Sequence, residues 1–152
     1  MIPPLTVERL SFTWPNGRPA LRHCALQIPR PGLWMLVGTN GSGKSTLLRL
    51  IARLLEPRSG RIHAAGKVAL VFQNPDHQLL LPSCAGDLQL GMPAGLGSNE
   101  RRSRVAQSLA QVGLSGFEER PVHTLSGGQK QRLAIAGALA GDADLVLMDE
   151  PT

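Results

Sequence analysis

A chain of 152 residues, 42% hydrophobic and 18% charged, has room for one folded domain with a buried core and is too apolar for a disordered protein. Its net charge of +5 comes largely from scattered arginines, with one dense group (Arg101, Arg102, Arg104) and one looser group (Arg18, Arg22, Arg30). These read as solvated faces first, and as a surface for nucleic acid or anionic lipid only second. The longest apolar runs, such as residues 33–37, are far too short to cross a bilayer, and the N-terminus lacks a charged-then-apolar signal pattern.

Cys24 and Cys84 have neither CxxC nor Cys/His spacing, so no zinc site or disulfide framework is indicated; both read as small, buried or half-buried residues suited to a reducing cytosol. His23, His63, His77 and His123 are isolated and read as structural.

Residues 6–12 alternate apolar and polar, as in a strand with one exposed face, and Trp14-Pro15-Asn16-Gly17 reads as a turn. Residues 33–37 form a continuous apolar run ending at Gly38, the pattern of a buried central strand. From Gly43 the period becomes helical, with Leu47, Leu48, Leu50, Ile51, Leu54 and Leu55 on one side, and Pro57 and Gly60 are the expected stop. A second buried strand is expected over 67–72, then a polar stretch, and a glycine-rich mobile loop over 91–98.

Ser98 is expected to cap a helix whose stripe is Val105, Leu109 and Val112, closed by Gly113. Ser126 and Gln129 form a capping-box pattern opening a helix through Ala140, with Gly141 as its stop. A last buried strand is expected over 145–148, with Asp149 and Glu150 at its end. Strands alternating with helices indicate an α/β fold with a parallel sheet.

Three groups of residues carry chemistry. Gly38-Thr39-Asn40-Gly41-Ser42-Gly43-Lys44-Ser45 matches the P-loop pattern between a strand and a helix, and Thr46 completes the loop. Its glycines let successive N–H groups turn inward around phosphate oxygens, and the helix adds its positive end. Lys44 brings a mobile positive charge to the outer phosphates, while the Ser45 hydroxyl can ligate Mg²⁺. Asp149, at the end of an apolar strand, is placed to hold Mg²⁺, and Glu150 can accept a proton from an attacking water. Ser126-Gly127-Gly128-Gln129 opens a helix with a second anion-binding turn, which could serve a nucleotide held by another subunit.

With these motifs the sequence resembles the ATP-binding cassette family along essentially its whole length. Residues 125–133 are similar to the family's signature motif, and residues 145–152 to its Walker B strand with the catalytic Glu. The resemblance places Gln73 at the Q-loop glutamine, which touches Mg²⁺ and the attacking water, and Trp14 at the aromatic position that stacks on adenine. A packing anchor under the turn is the other reading of Trp14. Residues 72–78 and 134–139 are similar to the energy-coupling-factor group, which powers uptake of vitamins and of cobalt or nickel ions. The sequence departs from that group in carrying Ser83-Cys84-Ala85-Gly86 before a single Asp87, where acidic residues are usual.

The resemblance implies a P-loop NTPase (RecA-like) parallel-sheet core with an N-terminal antiparallel β part and a helical insertion, incomplete at the C-terminus. The expected division is 1–32 for the β part and 33–73 for the P-loop and first core strands. Residues 74–124 form the Q-loop and helical insertion, and 125–152 the signature helix and Walker B strand. The family's later switch histidine has no counterpart after Glu150, so the chain as it stands is expected to bind nucleotide weakly and not to turn over ATP.

The implied function of a complete domain is ATP binding and hydrolysis powering import of a small solute or metal ion. The implied catalytic residues are Glu150, Gln73 and Lys44, the metal ligands Ser45, Gln73 and Asp149, and the ligands ATP and Mg²⁺. Expected partners are a transmembrane transporter subunit and a second cassette subunit, as homo- or heterodimer, at the inner face of the cell membrane and without nucleic acid. The alternatives are a soluble cassette ATPase acting on nucleic acid or ribosomes, and a non-hydrolysing nucleotide-binding fragment.

Overall fold

A computed structural model of the chain describes residues 1–150; Pro151 and Thr152, the tail of the Walker-B-like stretch, lie outside them. Strands β1 (Leu5–Thr13), β2 (Pro19–Ile28) and β3 (Ser59–Ala64) form an antiparallel sheet in the order β2-β1-β3. Strands β4 (Val68–Val71) and β5 (Leu145–Met148) pair in parallel, Val68 opposite Leu145 and Val71 opposite Met148. The helices are α1 (Lys44–Ile51), α2 (Cys84–Leu90), α3 (Ser98–Gln111) and α4 (Gly127–Ala140), with a short 3-10 turn over Pro75–His77. The fold is therefore mixed α/β.

Two apolar clusters hold these elements. Alternation sends Leu5 and Val7 of β1 inward, a register shift at the left-handed Arg9 (φ 46°) resets the phase so that Leu10 and Phe12 follow them, and Leu47, Leu50 and Ile51 of α1 and Leu147 of β5 cover all four. The second cluster joins Cys84 and Leu88 of α2, Val105 and Leu109 of α3, and Leu133, Ala136 and Ala140 of α4. Helix α4 also lies against β4 and the 3-10 turn, linking the helical part to the parallel pair.

Several expectations are corrected. Residues 33–37 are not a buried strand: they have no regular structure, and Leu33 is 99% exposed. A strand needs a neighbour for its N–H and C=O groups, and among the described residues this run forms no ladder with either sheet. Helix α1 stops at Ile51 rather than near Pro57, because the chain turns left-handed at Arg53 (φ 60°), which leaves Leu54 exposed. Ser98 is the first residue of α3 rather than its cap, which is Gly97. The loop over 91–98 is pinned, with Met92 buried and the Arg101 guanidinium donating to the carbonyls of Pro93 and Leu96 at 3.3 Å each.

The expected caps of α4 are present. Ser126 Oγ accepts from Gln129 N at 3.2 Å, Gln129 Oε1 accepts from Ser126 N at 2.9 Å, and Gly141 ends the helix. Cys84 is buried and Cys24 half-buried, both as free thiols.

Candidate functional site

The loop from Gly38 to α1 depends on backbone that only glycine adopts cheaply. Gly43 is the N-cap of α1 in a left-handed conformation (φ 96°) and makes no side-chain cap bond, so the first N–H groups of the helix stay open to an anion. A Cβ on Gly43 would lie 2.9 Å from Leu21 Cδ2 and 3.0 Å from the Ala20 carbonyl. At Gly38 a Cβ would meet Ser42 Oγ at 2.9 Å. The Lys44 ammonium folds back over this loop, donating to the carbonyls of Gly38 at 2.6 Å and Thr39 at 2.8 Å.

The strand end at β5 meets the first turn of α1. Ser45 Oγ donates to Asp149 Oδ1 at 2.8 Å, and Asp149 N donates to the Val71 carbonyl at 3.1 Å, fixing the carboxylate where β4 and β5 both end. Asp149 is buried, and among the described residues no Lys or Arg pairs with it. A buried carboxylate beside a hydroxyl, without a cationic partner, is a donor set that suits a hard cation such as Mg²⁺.

Glu150 follows in a left-handed conformation (φ 46°), a backbone state that a non-glycine residue holds only at a cost and that clusters at functional sites. Its Oε2 accepts from Gln73 Nε2 at 2.7 Å, although the two residues are 77 apart in sequence. Gln73 is thus brought to Glu150, while Ser45 and Asp149 form the other pair.

Lys44, Ser45 and Glu150 border a cleft of about 560 Å³ lined also by Trp14, Asn16, Arg18, Pro19, Ala20, Asn40, Gly41, Gly43 and Thr46; Gly38, Thr39, Ser42, Gln73 and Asp149 are not in its lining. Trp14 stands at the cleft and also packs on its neighbour. It lines the cleft, and its ring meets Phe12 edge-on with centroids 5.0 Å apart. Ser126, Gly127 and Gly128 are exposed and do not line the cleft; one chain does not bring its second glycine turn to its own P-loop. Sequence reasoning missed Asn16, Arg18, Pro19 and Ala20 as a wall of the cleft, because the β1–β2 hairpin that presents them pairs irregularly.

Outside the cleft, burial pushes the Cys84 thiol pKa up, and the nearby Asp87 carboxylate pushes it the same way.

A family profile described as "ABC transporter" matches residues 21–152, which include both the P-loop and the Asp149–Glu150 strand end. The chain belongs to the ABC transporter family. Among curated relatives of this ABC chain, "ABC transporter I family member 10" of Arabidopsis thaliana is 46% identical over 88% of the chain and 50% of the relative. "Energy-coupling factor transporter ATP-binding protein EcfA" of Methanothermobacter thermautotrophicus is 42% identical over 97% of the chain and 53% of the relative. The solved structure of cbiO1 from Clostridium perfringens, part of the ABC transporter complex cbiONQ, superposes with a TM-score of 0.87 at 34% identity, covering 100% of this chain and 67% of that one. The ABC chain thus spans about half the length of these two curated relatives. Its finer likeness to the energy-coupling-factor group agrees with the relatives so named.

Proposed function

We propose that this chain is the nucleotide-binding part of an ABC ATPase subunit that powers an importer of the energy-coupling-factor type, for a small solute or metal ion. The observation that carries this reading is the Ser45–Asp149 bond, which brings the P-loop and the Glu150 strand end to one place.

In this reading the open N–H groups before α1 bind the phosphates, and the Lys44 ammonium leaves the Gly38 and Thr39 carbonyls for the outer phosphate oxygens. Trp14, in the lining of the same cleft, is the residue that stacks on the base in this reading. Ser45 and Asp149 would hold Mg²⁺, which when bound offsets charge on the phosphate oxygens. Gln73 orients the Glu150 carboxylate, and Glu150 accepts the proton of the attacking water.

The exposed turn at Ser126, Gly127, Gly128 and Gln129 serves a nucleotide on a second subunit, in a head-to-tail dimer. The division into 1–32, 33–73, 74–124 and 125–152 belongs to the same proposal, as does a place on the inner face of the membrane beside a transmembrane subunit. The test is co-purification of the full-length subunit with a membrane-spanning partner, followed by phosphate release in vesicles. Release that rises with transported substrate supports the importer reading. A subunit that hydrolyses ATP but takes up no membrane partner contradicts it.

A further inference from the structure

Lys130 stands in the first turn of α4, immediately after the Gln129 that closes the capping box. A cation at that end opposes the helix dipole, and α4 has no acidic residue in its first turn to offset it. The compensation comes from Asp76, 54 residues earlier in sequence, whose Oδ1 accepts from Lys130 Nζ at 2.7 Å. Lys130 is mostly covered, its side chain 20% exposed, so the contact has a defined geometry on the helix side.

The turn that carries Asp76 is stapled internally. Asn74 Oδ1 accepts from Asp76 N at 3.0 Å. The Gln78 amide accepts from Phe72 N at 3.1 Å and donates to the Leu70 carbonyl at 3.0 Å, clamping the turn onto β4. Gln73 lies inside this clamped stretch and donates to Glu150. Polar contacts lead from Lys130 in the first turn of α4 to Asp76 and Asn74, and Gln73, the next residue in the chain, carries the bond to the Glu150 carboxylate.

We propose that Lys130 and Asp76 are positioning residues for Glu150, tying the glycine turn of α4 to the stretch that carries Gln73. When a nucleotide engages that glycine turn, the shift of α4 reaches Glu150 through the ion pair. The proposal rests on the ATPase reading above. Neither residue lines the cleft, so the pair governs turnover rather than the first binding of ATP. The attraction is between charges, so exchanging them preserves it.

The experiment uses the full-length subunit in four forms: unaltered, Asp76→Lys, Lys130→Asp, and the exchanged double variant. Each single variant is expected to lower kcat by about three- to fivefold, the scale of one partly exposed ion pair. The KM for ATP should stay unchanged, and the double variant should recover most of kcat. Single variants at full kcat overturn the proposal, as does a double variant that loses the product of the two single losses. Single variants that raise KM and lower the melting temperature together, with no rescue, reduce the pair to a structural contact and also overturn it. An unaltered subunit without Lys44-dependent hydrolysis fails differently: it removes the ATPase reading itself.

Discussion

Ser45 Oγ, in the lining of the cleft, donates to Asp149 Oδ1 at 2.8 Å, joining residues 104 apart in sequence. The bond satisfies a buried carboxylate, so Ser45→Ala leaves Asp149 short of a partner. The expected loss is about 1–3 kcal/mol of folding stability, the cost of an unsatisfied buried acceptor. Urea unfolding reads that loss, and ATP titration with and without Mg²⁺ reads the second consequence, a shrunken difference between the two conditions. Unchanged stability together with an unchanged Mg²⁺ effect would separate Ser45 from the site.

Lys44 Nζ donates to the loop's own carbonyls, at Gly38 and Thr39. In the proposed function its transfer to phosphate would replace neutral acceptors with charged ones. Lys44→Ala should weaken ATP by roughly ten- to a hundredfold, from charge-assisted bonds worth about 1.5–3 kcal/mol. Isothermal titration checks it; equal affinity would detach the loop from phosphate binding.

Gly43→Ala forces a Cβ into a left-handed residue and against Leu21 and the Ala20 carbonyl. Leu21 can shift, but the Ala20 carbonyl is backbone and part of the cleft wall. We expect a loss of about 1–2 kcal/mol of stability from the backbone state alone, with weaker nucleotide binding beside it. A variant that melts and binds like the parent would show that the loop relaxes freely.

Cys84 supplies a pH prediction. Burial raises the folded thiol pKa above its unfolded value, so the folded state keeps its proton to higher pH. That contribution is fully present below the ordinary thiol pKa and is lost as pH rises through the folded value. Stability should thus fall on the alkaline side, and Cys84→Ala should flatten that fall. A thiol reagent at neutral pH should modify the half-buried Cys24 and reach Cys84 only after denaturant is added. Rapid modification of both thiols in the native protein would contradict the burial argument.

The parts legible in the sequence are those whose causes are local. Ser126 and Gln129 cap α4 within one turn of chain, and the apolar run of β5 ends in Asp149 at the parallel pair. The P-loop glycines announce their own backbone. What the sequence hid depends on distant pairing. Residues 33–37 have the composition of a buried strand, yet composition does not encode a pairing partner, and among the described residues none pairs with them.

Strand β2 escaped notice because His23 adopts a positive φ (48°), next to a register shift that breaks the alternation. Helix α2 is only seven residues long and is capped by Ser83 without the Glu or Gln that would complete a capping box. Leu54 continues the helical stripe of α1 in sequence, but the left-handed Arg53 ends the helix first. The Lys130–Asp76 pair joins two motifs that each look complete alone, so no local pattern points to it.

Hydrolysis by Glu150 is the centre of the account. Glu150→Gln is nearly isosteric but cannot take up a proton, so it separates binding from chemistry. The decisive measurement is phosphate release by the full-length subunit, wild type against Glu150→Gln, with ATP affinity titrated on the same preparations. The account predicts unaltered ATP affinity, a release rate lower by at least about a hundredfold, and an ATP-bound dimer that persists on sizing chromatography. Near-normal release by Glu150→Gln would contradict it and place the general base elsewhere.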